Sequence, residues 1–308
     1  MIEEKRPAEA KIGKLERLKN LIACDPGILA CPICGAALSL ARASATLRCA
    51  RGHCHDLARK GYANLLNRSG GAKGVYGPAL FESRRAVFGF GFYEEAARRI
   101  AALARALLRP SEAAGRSGED GLFRVLDAGC GEGYHSFALS RDAALRSLCR
   151  FYGLDISRDA VAAATGYAAE VVWIVGDLAR PPFRDGAFDL VLNVLSPASY
   201  GAFRRILAPD GVLIKVLPGR DYLRELRALR DGREREDGDD GEAAAHCERH
   251  MRVALRTNVR YVCAPRAEQK KALPAMTPLT AGKHIDSSAL EALRVITIDL
   301  EIIAGRPL

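Results

Sequence analysis

At 308 residues with 49% hydrophobic content, the chain is long enough for two domains and rich enough in apolar residues to bury a core. No apolar run approaches the roughly 20 residues of a membrane span, and the opening MIEEKRPAEAKIGKLERLKN is too charged for a signal peptide. Nine scattered cysteines, an odd count, argue against a secreted disulfide framework, so a cytoplasmic protein in a reducing compartment is expected.

The net charge of +9 is uneven: residues 1–110 hold 19 Lys and Arg against 9 Asp and Glu, and the remainder 27 against 28. Nine basic and two acidic residues lie between Arg42 and Arg85. That distribution suits a polyanion-facing module on a neutral body, although a basic surface kept for solubility has the same composition.

In chain order, residues 1–24 read as a charged helical extension and 25–66 as a small Cys/His unit. Cys31 and Cys34 form C-x2-C, and Cys49 with His53 forms C-x3-H after fourteen intervening residues. Two such turns gather four donors for tetrahedral zinc, which would supply the folding energy that some forty residues lack in a core. A redox C-x-x-C is the rival, but Pro32 and Gly35 favour a knuckle. Cys54 and His55 compete with His53 for the fourth position. Four protein ligands leave no open place for water, which makes the zinc structural. In the adjoining RGHCHDLARKGYANLL, Arg51, Arg59 and Lys60 are candidates for phosphate contacts. Tyr62 is a candidate to stack on a base, with a packing role equally open.

Residues 67–110 read as a linker, Gly-rich over 67–80, followed by a helical region. Residues 111–308 alternate apolar runs with helical patterns, the mark of a doubly wound α/β sheet. Strands are predicted at 123–129, 150–156, 170–177, 188–195, 211–218 and 295–303, with 231–250 as a solvated charged insertion.

The turn VLDAGCGEGYHS ends the first of these strands with Asp127, Gly129, Gly131 and Gly133. It lacks the dinucleotide spacing G-x-G-x-x-G, which disfavours an NAD-linked oxidoreductase. Asp127 suits a ligand's ammonium group, Asp155 a ribose and Asp177 an adenine amino group. Acids at three successive strand ends around a glycine turn point to S-adenosylmethionine. Tyr134, His135, Leu178 and Asn193 are taken as its neighbours. Each Asp singly also suits a helix cap or turn.

With both modules placed, the chain resembles the bacterial large-subunit ribosomal RNA guanine-N1 methyltransferases. The resemblance is carried by CPIC, RCARGHCHDLARKGYANLL, SRRAVFGFGFY, VLDAGCGEGYHS, FDLVLNVLSPAS, FRRILAPDGVLIKVLPGRDYLREL and AMTPL, in order over residues 31–280. It implies a class I, Rossmann-like methyltransferase domain behind a small zinc-ribbon-like domain, methyl transfer to N1 of a guanine in a 23S rRNA hairpin, and a homodimer. It also implies zinc on Cys31, Cys34, Cys49 and His53, and cofactor contacts on the glycine turn, Asp155 and Asp177. Arg84 and Arg85 join the RNA-contact candidates. Asn193, Ser196, Pro197 and Tyr200 follow the fourth strand of the domain and are expected to form the target-base pocket. Glu132 and His135 are weak candidates for the proton acceptor, and 276–279 for closing the pocket. A small-molecule methyltransferase leaves the zinc unit unexplained. A non-catalytic zinc-ribbon RNA-binding protein leaves the glycine turn unexplained.

Overall fold

A computed structural model describes residues 12–41, 44–67, 77–89, 91–108, 121–167, 169–231, 241–277, 279–280 and 285–308. Most of the expected Gly-rich connection (68–76), the loop at 109–120, residues 232–240 and Pro278 therefore lie outside the described residues.

The first helix, α1 (Lys14–Ala23), is followed by four short strands, β1 (Leu38–Leu40), β2 (Thr46–Cys49), β3 (Cys54–Ala58) and β4 (Tyr62–Asn64). Each of the four pairs antiparallel with the next. The described part of the expected charged extension is not free. Leu18 and Ile22, one helical turn apart, are buried, and α1 packs over the neighbouring sheet.

Helices α2 (Pro78–Gly89) and α3 (Glu94–Leu107) come next. Both join the core of the larger domain through Val87, Tyr93, Ala96 and Ile100, so the helical region belongs to that domain rather than to a linker. The domain continues through β5 (Phe123–Ala128), α4 (Tyr134–Arg141), α5 (Ala143–Leu148), β6 (Cys149–Asp155), α6 (Arg158–Ala164), β7 (Val171–Val175), β8 (Phe188–Val194), α7 (Tyr200–Ile206) and β9 (Leu207–Pro218). These are the five predicted parallel strands. They are buried on both faces, which is why each reads as a continuous apolar run. Side chains start two of the helices: Asp142 accepts from the Leu145 amide (3.1 Å) and Ser157 from that of Ala160 (3.2 Å).

Beyond β9 lie α8 (Arg224–Asp231), α9 (Glu242–Arg249), β10 (Met251–Cys263), α10 (Ala267–Ala272), α11 (Ser287–Ala292) and β11 (Ile296–Pro307). The segment 231–250 is therefore not simply a solvated insertion: α9 buries Ala244 and Cys247 against the sheet. The long strand β10 has no counterpart among the predicted strands. It is an edge strand carrying Arg252, Arg256 and Arg260, and its exposed, charged alternation gives little apolar signal.

All eleven strands form one sheet, in the order β1-β2-β3-β4-β7-β6-β5-β8-β9-β11-β10. The order reverses between β5 and β8, where a doubly wound sheet opens its ligand crevice. At the other end β4 adds in parallel to β7, with Ala63 beside Ile174 and Asn64 beside Val175. The Cys/His ribbon is thus an extension of the larger domain's sheet. No described helix is long and apolar enough to cross a membrane.

A buried ion pair fastens the same junction. Asp25, 3% exposed, accepts from Arg124 Nε (2.7 Å) and Nη2 (2.5 Å) and from the Tyr152 hydroxyl. Removing one partner of such a pair leaves an uncompensated buried charge. Asp25→Ala is expected to lower stability by about 3–5 kcal/mol, read as a shift in the denaturant midpoint. A change under 1 kcal/mol would mean that the pair is dispensable.

Candidate active site and metal centre

Two tight turns build the metal centre. The Gly35 amide donates to the Cys31 carbonyl (2.8 Å), closing the C-x2-C knuckle, and the Gly52 amide donates to that of Cys49 (3.0 Å). One ligand atom from each of Cys31, Cys34, Cys49 and His53 lies within 4.8 Å of every other. The Cys34 and Cys49 sulfurs are 3.7 Å apart, and His53 Nδ1 stands 3.4 Å from Cys49 Sγ and 3.6 Å from Cys31 Sγ. Zinc bonds of the usual length in a tetrahedron separate the donors by about 3.5–3.8 Å, so this donor set fits zinc. Burial pushes the Cys49 thiol up, but the backbone amides of His53 and Arg51 outweigh it and bring it to about 6. Cys54 is exposed and turns to the Gly52 carbonyl (3.4 Å). His55 Nε2 touches the rim, 3.5 Å from Cys31 Sγ.

The cofactor side is built by the turn after β5. Gly129, Gly131 and Gly133 all have positive φ (82°, 55° and 87°). A Cβ on Gly129 would collide with the Ser196 side chain, and one on Gly133 would lie 2.6 Å from the Trp173 ring. Glycine is thus required by both backbone and space. The turn is held by Asp155, whose carboxylate accepts from the amides of Gly131 (2.9 Å) and Ser157 (2.8 Å). Asp127 accepts from the Ser136 hydroxyl (2.7 Å). Burial, with the charge of Asp155 adding, pushes Asp127 up to about 7 against the Ser136 hydrogen bonds. Burial also raises Glu132 to about 7, against the pull of Arg84, and lowers His135 to about 4.

These groups open on a cavity of about 1060 Å³, lined on this side by Asp127, Gly129, Gly131, Glu132, His135, Asp155, Asp177 and Leu178. A glycine cradle ringed by three carboxylates at strand ends fits S-adenosylmethionine, which brings ammonium, ribose and adenine groups but no phosphate. Three other candidates do not reach the cavity wall. Gly133 sits beneath the turn on Trp173, Tyr134 packs edge-on against Phe88, and Asn193 is fully buried behind the wall.

The rest of the wall is lined by Phe88, Tyr93, Ser196, Pro197, Lys215 and Tyr222, with Arg227 and Arg230, while Arg84 stands beside Gly131 and Glu132. Met276, Thr277 and Leu279 also line it. Asn193 donates to the carbonyls of Ala128 (2.6 Å) and Pro197 (3.3 Å), tying the end of β5 to the loop after β8. Leu195 in that loop has φ 47°, a strained value for a branched side chain. Tyr200, expected in the pocket, instead stacks on His250 with ring centroids 5.0 Å apart.

The RNA-contact candidates divide. Arg51, Arg59 and Lys60 are exposed. Tyr62 is 7% exposed and belongs to the core, so it offers no face to a base. Arg85 lies over the Tyr167 ring and donates to the Ala163 carbonyl (2.9 Å), which makes it a strap between helices. Arg84 faces the cavity and donates to the Met276 carbonyl (2.9 Å). Sequence reading missed Lys215, Tyr222 and the arginines of α8. Lys215 stands in an apolar strand, where a lone lysine reads as an exposed edge residue.

Residues 125–211 match a family model described as "Methyltransferase domain", and residues 29–67 match one described as "RlmA, N-terminal", a zinc ribbon. A Bacillus subtilis chain, YxjB, named as a candidate 23S rRNA (guanine-N(1)-)-methyltransferase, is 34% identical over 295 residues, spanning 91% of this chain and 98% of its own. The chain belongs to the 23S rRNA (guanine-N1)-methyltransferase family. A second relative of that name, the 23S rRNA (guanine(748)-N(1))-methyltransferase of Streptomyces fradiae, is 37% identical over 64% of this chain and 66% of its own. A human protein named arginine-hydroxylase NDUFAF5 is 33% identical, but over 33% of this chain and 31% of its own. Similarity over this part of the chain thus accompanies more than one named chemistry.

As a 23S rRNA (guanine-N1)-methyltransferase family member, the chain is an S-adenosylmethionine-dependent enzyme with a structural zinc. Because zinc supplies the ribbon's folding energy, Cys49→Ser is expected to lower metal content from about one zinc ion per chain to near zero. It should also raise amide hydrogen exchange in β3 and β4. Elemental analysis with hydrogen-exchange mass spectrometry checks this; full zinc content with unchanged protection would remove Cys49 from the site.

Proposed function

We propose that the chain transfers a methyl group from S-adenosylmethionine to N1 of a guanine in a hairpin loop of 23S rRNA, in the cytoplasm and as a homodimer. The observation that carries the reading is the two-sided cavity. Carboxylates and a glycine turn line one side; aromatic rings, a loop after β8 and basic groups line the other. At about 1060 Å³ it stands at the top of the usual range for ligand sites, a size compatible with a cofactor and a base flipped out of its stack. The guanine and the rRNA come from the names of the full-length relatives. The homodimer rests on the family resemblance.

In this reading Asp127 holds the cofactor's ammonium group, Asp155 its ribose and Asp177 its adenine amino group, on the cradle of Gly129 and Gly131. When bound, the cofactor supplies an electrophilic methyl group. Cys31, Cys34, Cys49 and His53 hold the zinc. The exposed Arg51, Arg59 and Lys60 neutralise RNA phosphates, and Ser196 and Pro197 border the target base.

Primer extension on unmodified 23S rRNA tests the reaction, because a methyl on N1 blocks Watson–Crick pairing. A single cofactor-dependent stop at a hairpin-loop guanine is expected. No stop, with zinc and cofactor binding intact, would move the reading to a small-molecule substrate.

The raised Asp127 adds a pH dependence. Its folded value near 7 lies above the ordinary carboxyl value. The ligand-free protein therefore has stability from this group at low pH that is lost as pH rises through 7. Cofactor binding runs the other way, since the ammonium needs the ionised form. The affinity for S-adenosylhomocysteine is expected to fall by up to about tenfold for each pH unit below 7. Calorimetry between pH 5.5 and 8 measures it. In Asp127→Asn the dependence should flatten at weak affinity; an undiminished slope there would shift the effect to Glu132.

A further inference from the structure

The proposed reaction needs a proton acceptor, because guanine N1 carries a hydrogen at neutral pH. Two candidates stand at the glycine turn. Glu132, 2% exposed within the turn and raised by burial to about 7, has a suitable proton affinity but is grouped with Arg84 and the carboxyls of Asp127 and Asp155. His135, held near 4, is a weak base at neutral pH.

Lys215 shares burial and a place on the cavity wall with Glu132, but it stands beside the loop after β8. It is 4% exposed, lies in β9 directly beside Asn193 of β8, and lines the cavity on the target side with Ser196, Pro197 and Leu217. Its Nζ donates to Asn193 Oδ1 and to the Ser196 carbonyl, both at 2.5 Å. Asn193 is fixed in turn, because its amide nitrogen is committed to the carbonyls of Ala128 and Pro197. Both acceptors of the amine are neutral. An amine that uses two N–H bonds in this way keeps a lone pair for a third direction.

Around the amine, the charge of a Cys247 thiolate would favour the cation, but burial outweighs it. The register neighbour in β11 is Ile303, and in β8 it is Asn193. From α9 comes Cys247, whose thiol is raised by burial, and Glu242 stands on the cavity wall at the start of that helix. The cavity's other charged groups are the carboxyls of the cofactor side and the guanidiniums of Arg84, Arg227 and Arg230. Burial brings Lys215 down to about 8, near the value that suits proton transfer at working pH.

We propose that Lys215, as the neutral amine, is the base that accepts the N1 proton of the target guanine. The inference rests on the reaction given under Proposed function. The N1–H bond breaks with its proton passing to Nζ, and the electron pair left on N1 forms the bond to the methyl carbon. The carbon–sulfur bond of the sulfonium breaks with its pair remaining on sulfur, giving S-adenosylhomocysteine. The Lys215 ammonium then loses its proton to water. Asn193 acts as a positioning residue, orienting the amine and holding the strained loop at Leu195.

The test compares wild type, Lys215→Met and Lys215→Arg in single-turnover methyl transfer to 23S rRNA, with S-adenosylhomocysteine affinity by calorimetry. Nitrogen-15 lysine NMR of the ligand-free protein is recorded alongside. A base role predicts a loss of about 10²–10⁴-fold in rate for both variants, with cofactor affinity within about twofold of wild type. It also predicts a lysine resonance, absent from Lys215→Arg, that titrates near pH 8, and a wild-type rate that rises through the same pH. An Arg variant within about threefold of wild type would overturn the base role, since arginine keeps the charge and the donors but cannot take a proton. A lysine resonance that stays protonated above pH 10 would overturn it even if both variants unfold. Wild type that binds cofactor yet leaves guanine unmethylated would instead sink the underlying reaction, and the inference with it.

Discussion

The pairing of β4 with β7 is the contact on which the arrangement of the two modules depends. It consists of two residue positions, Ala63 beside Ile174 and Asn64 beside Val175, and takes up the exposed edge of a parallel sheet. A strand of three residues has little stability alone. It stands because zinc closes the ribbon on one side and the Asp25–Arg124–Tyr152 cluster fastens the other. The ribbon's basic surface is therefore held at a fixed angle to the catalytic sheet rather than carried on a tether. For an enzyme that must present one nucleotide of a large RNA to one atom of a cofactor, a fixed spacing between binding surface and reacting centre lowers the entropy lost on docking.

The glycine turn shows how packing beneath a site sets the site's shape. The Trp173 ring lies under Gly133 and Gly153, and at neither position is there room for a Cβ. The turn can then descend close enough for Asp155 to bind the Gly131 amide while the Ser196 side chain closes over Gly129. Two walls of the cavity meet at that contact, so the loop after β8 and the cofactor cradle are positioned by each other. The strained backbone at Leu195 is tolerated because Asn193 and Lys215 hold the loop just beyond it, at the carbonyls of Pro197 and Ser196.

Much of this was legible in the sequence, for definable reasons. Strands buried on both faces announce themselves as apolar runs, and the five parallel strands and β11 were found in place. Spacing alone gathered Cys31, Cys34, Cys49 and His53, because tight turns bring donors together locally. What stayed hidden depended on contacts distant along the chain. Tyr62 reads equally as a stacking or a packing residue until β4 is seen to bury it, and Arg85 as a free cation until Tyr167 lies beneath it. The opposite error befell α9 and β10, whose charged sequences masked their places against and along the sheet. Lys215 was missed for the same reason: its partners are a β8 side chain 22 residues away and a loop carbonyl.

The cavity's charge is divided in a way that serves transfer between two unlike ligands. Carboxylates cluster around the glycine turn, and burial raises Asp127 and Glu132 to about 7, so that these two carry less negative charge than ordinary carboxylates in the ligand-free protein. Under the proposed function, an ammonium arriving beside Asp127 would favour its ionised form. Elsewhere on the wall stand Arg227 and Arg230, and Lys215 is bonded to neutral partners, with burial lowering its affinity for a proton. Desolvation therefore acts on both walls in the direction the reaction needs. It lowers the charge of the acids until a cation arrives and leaves an amine able to accept a proton, without any residue having to move.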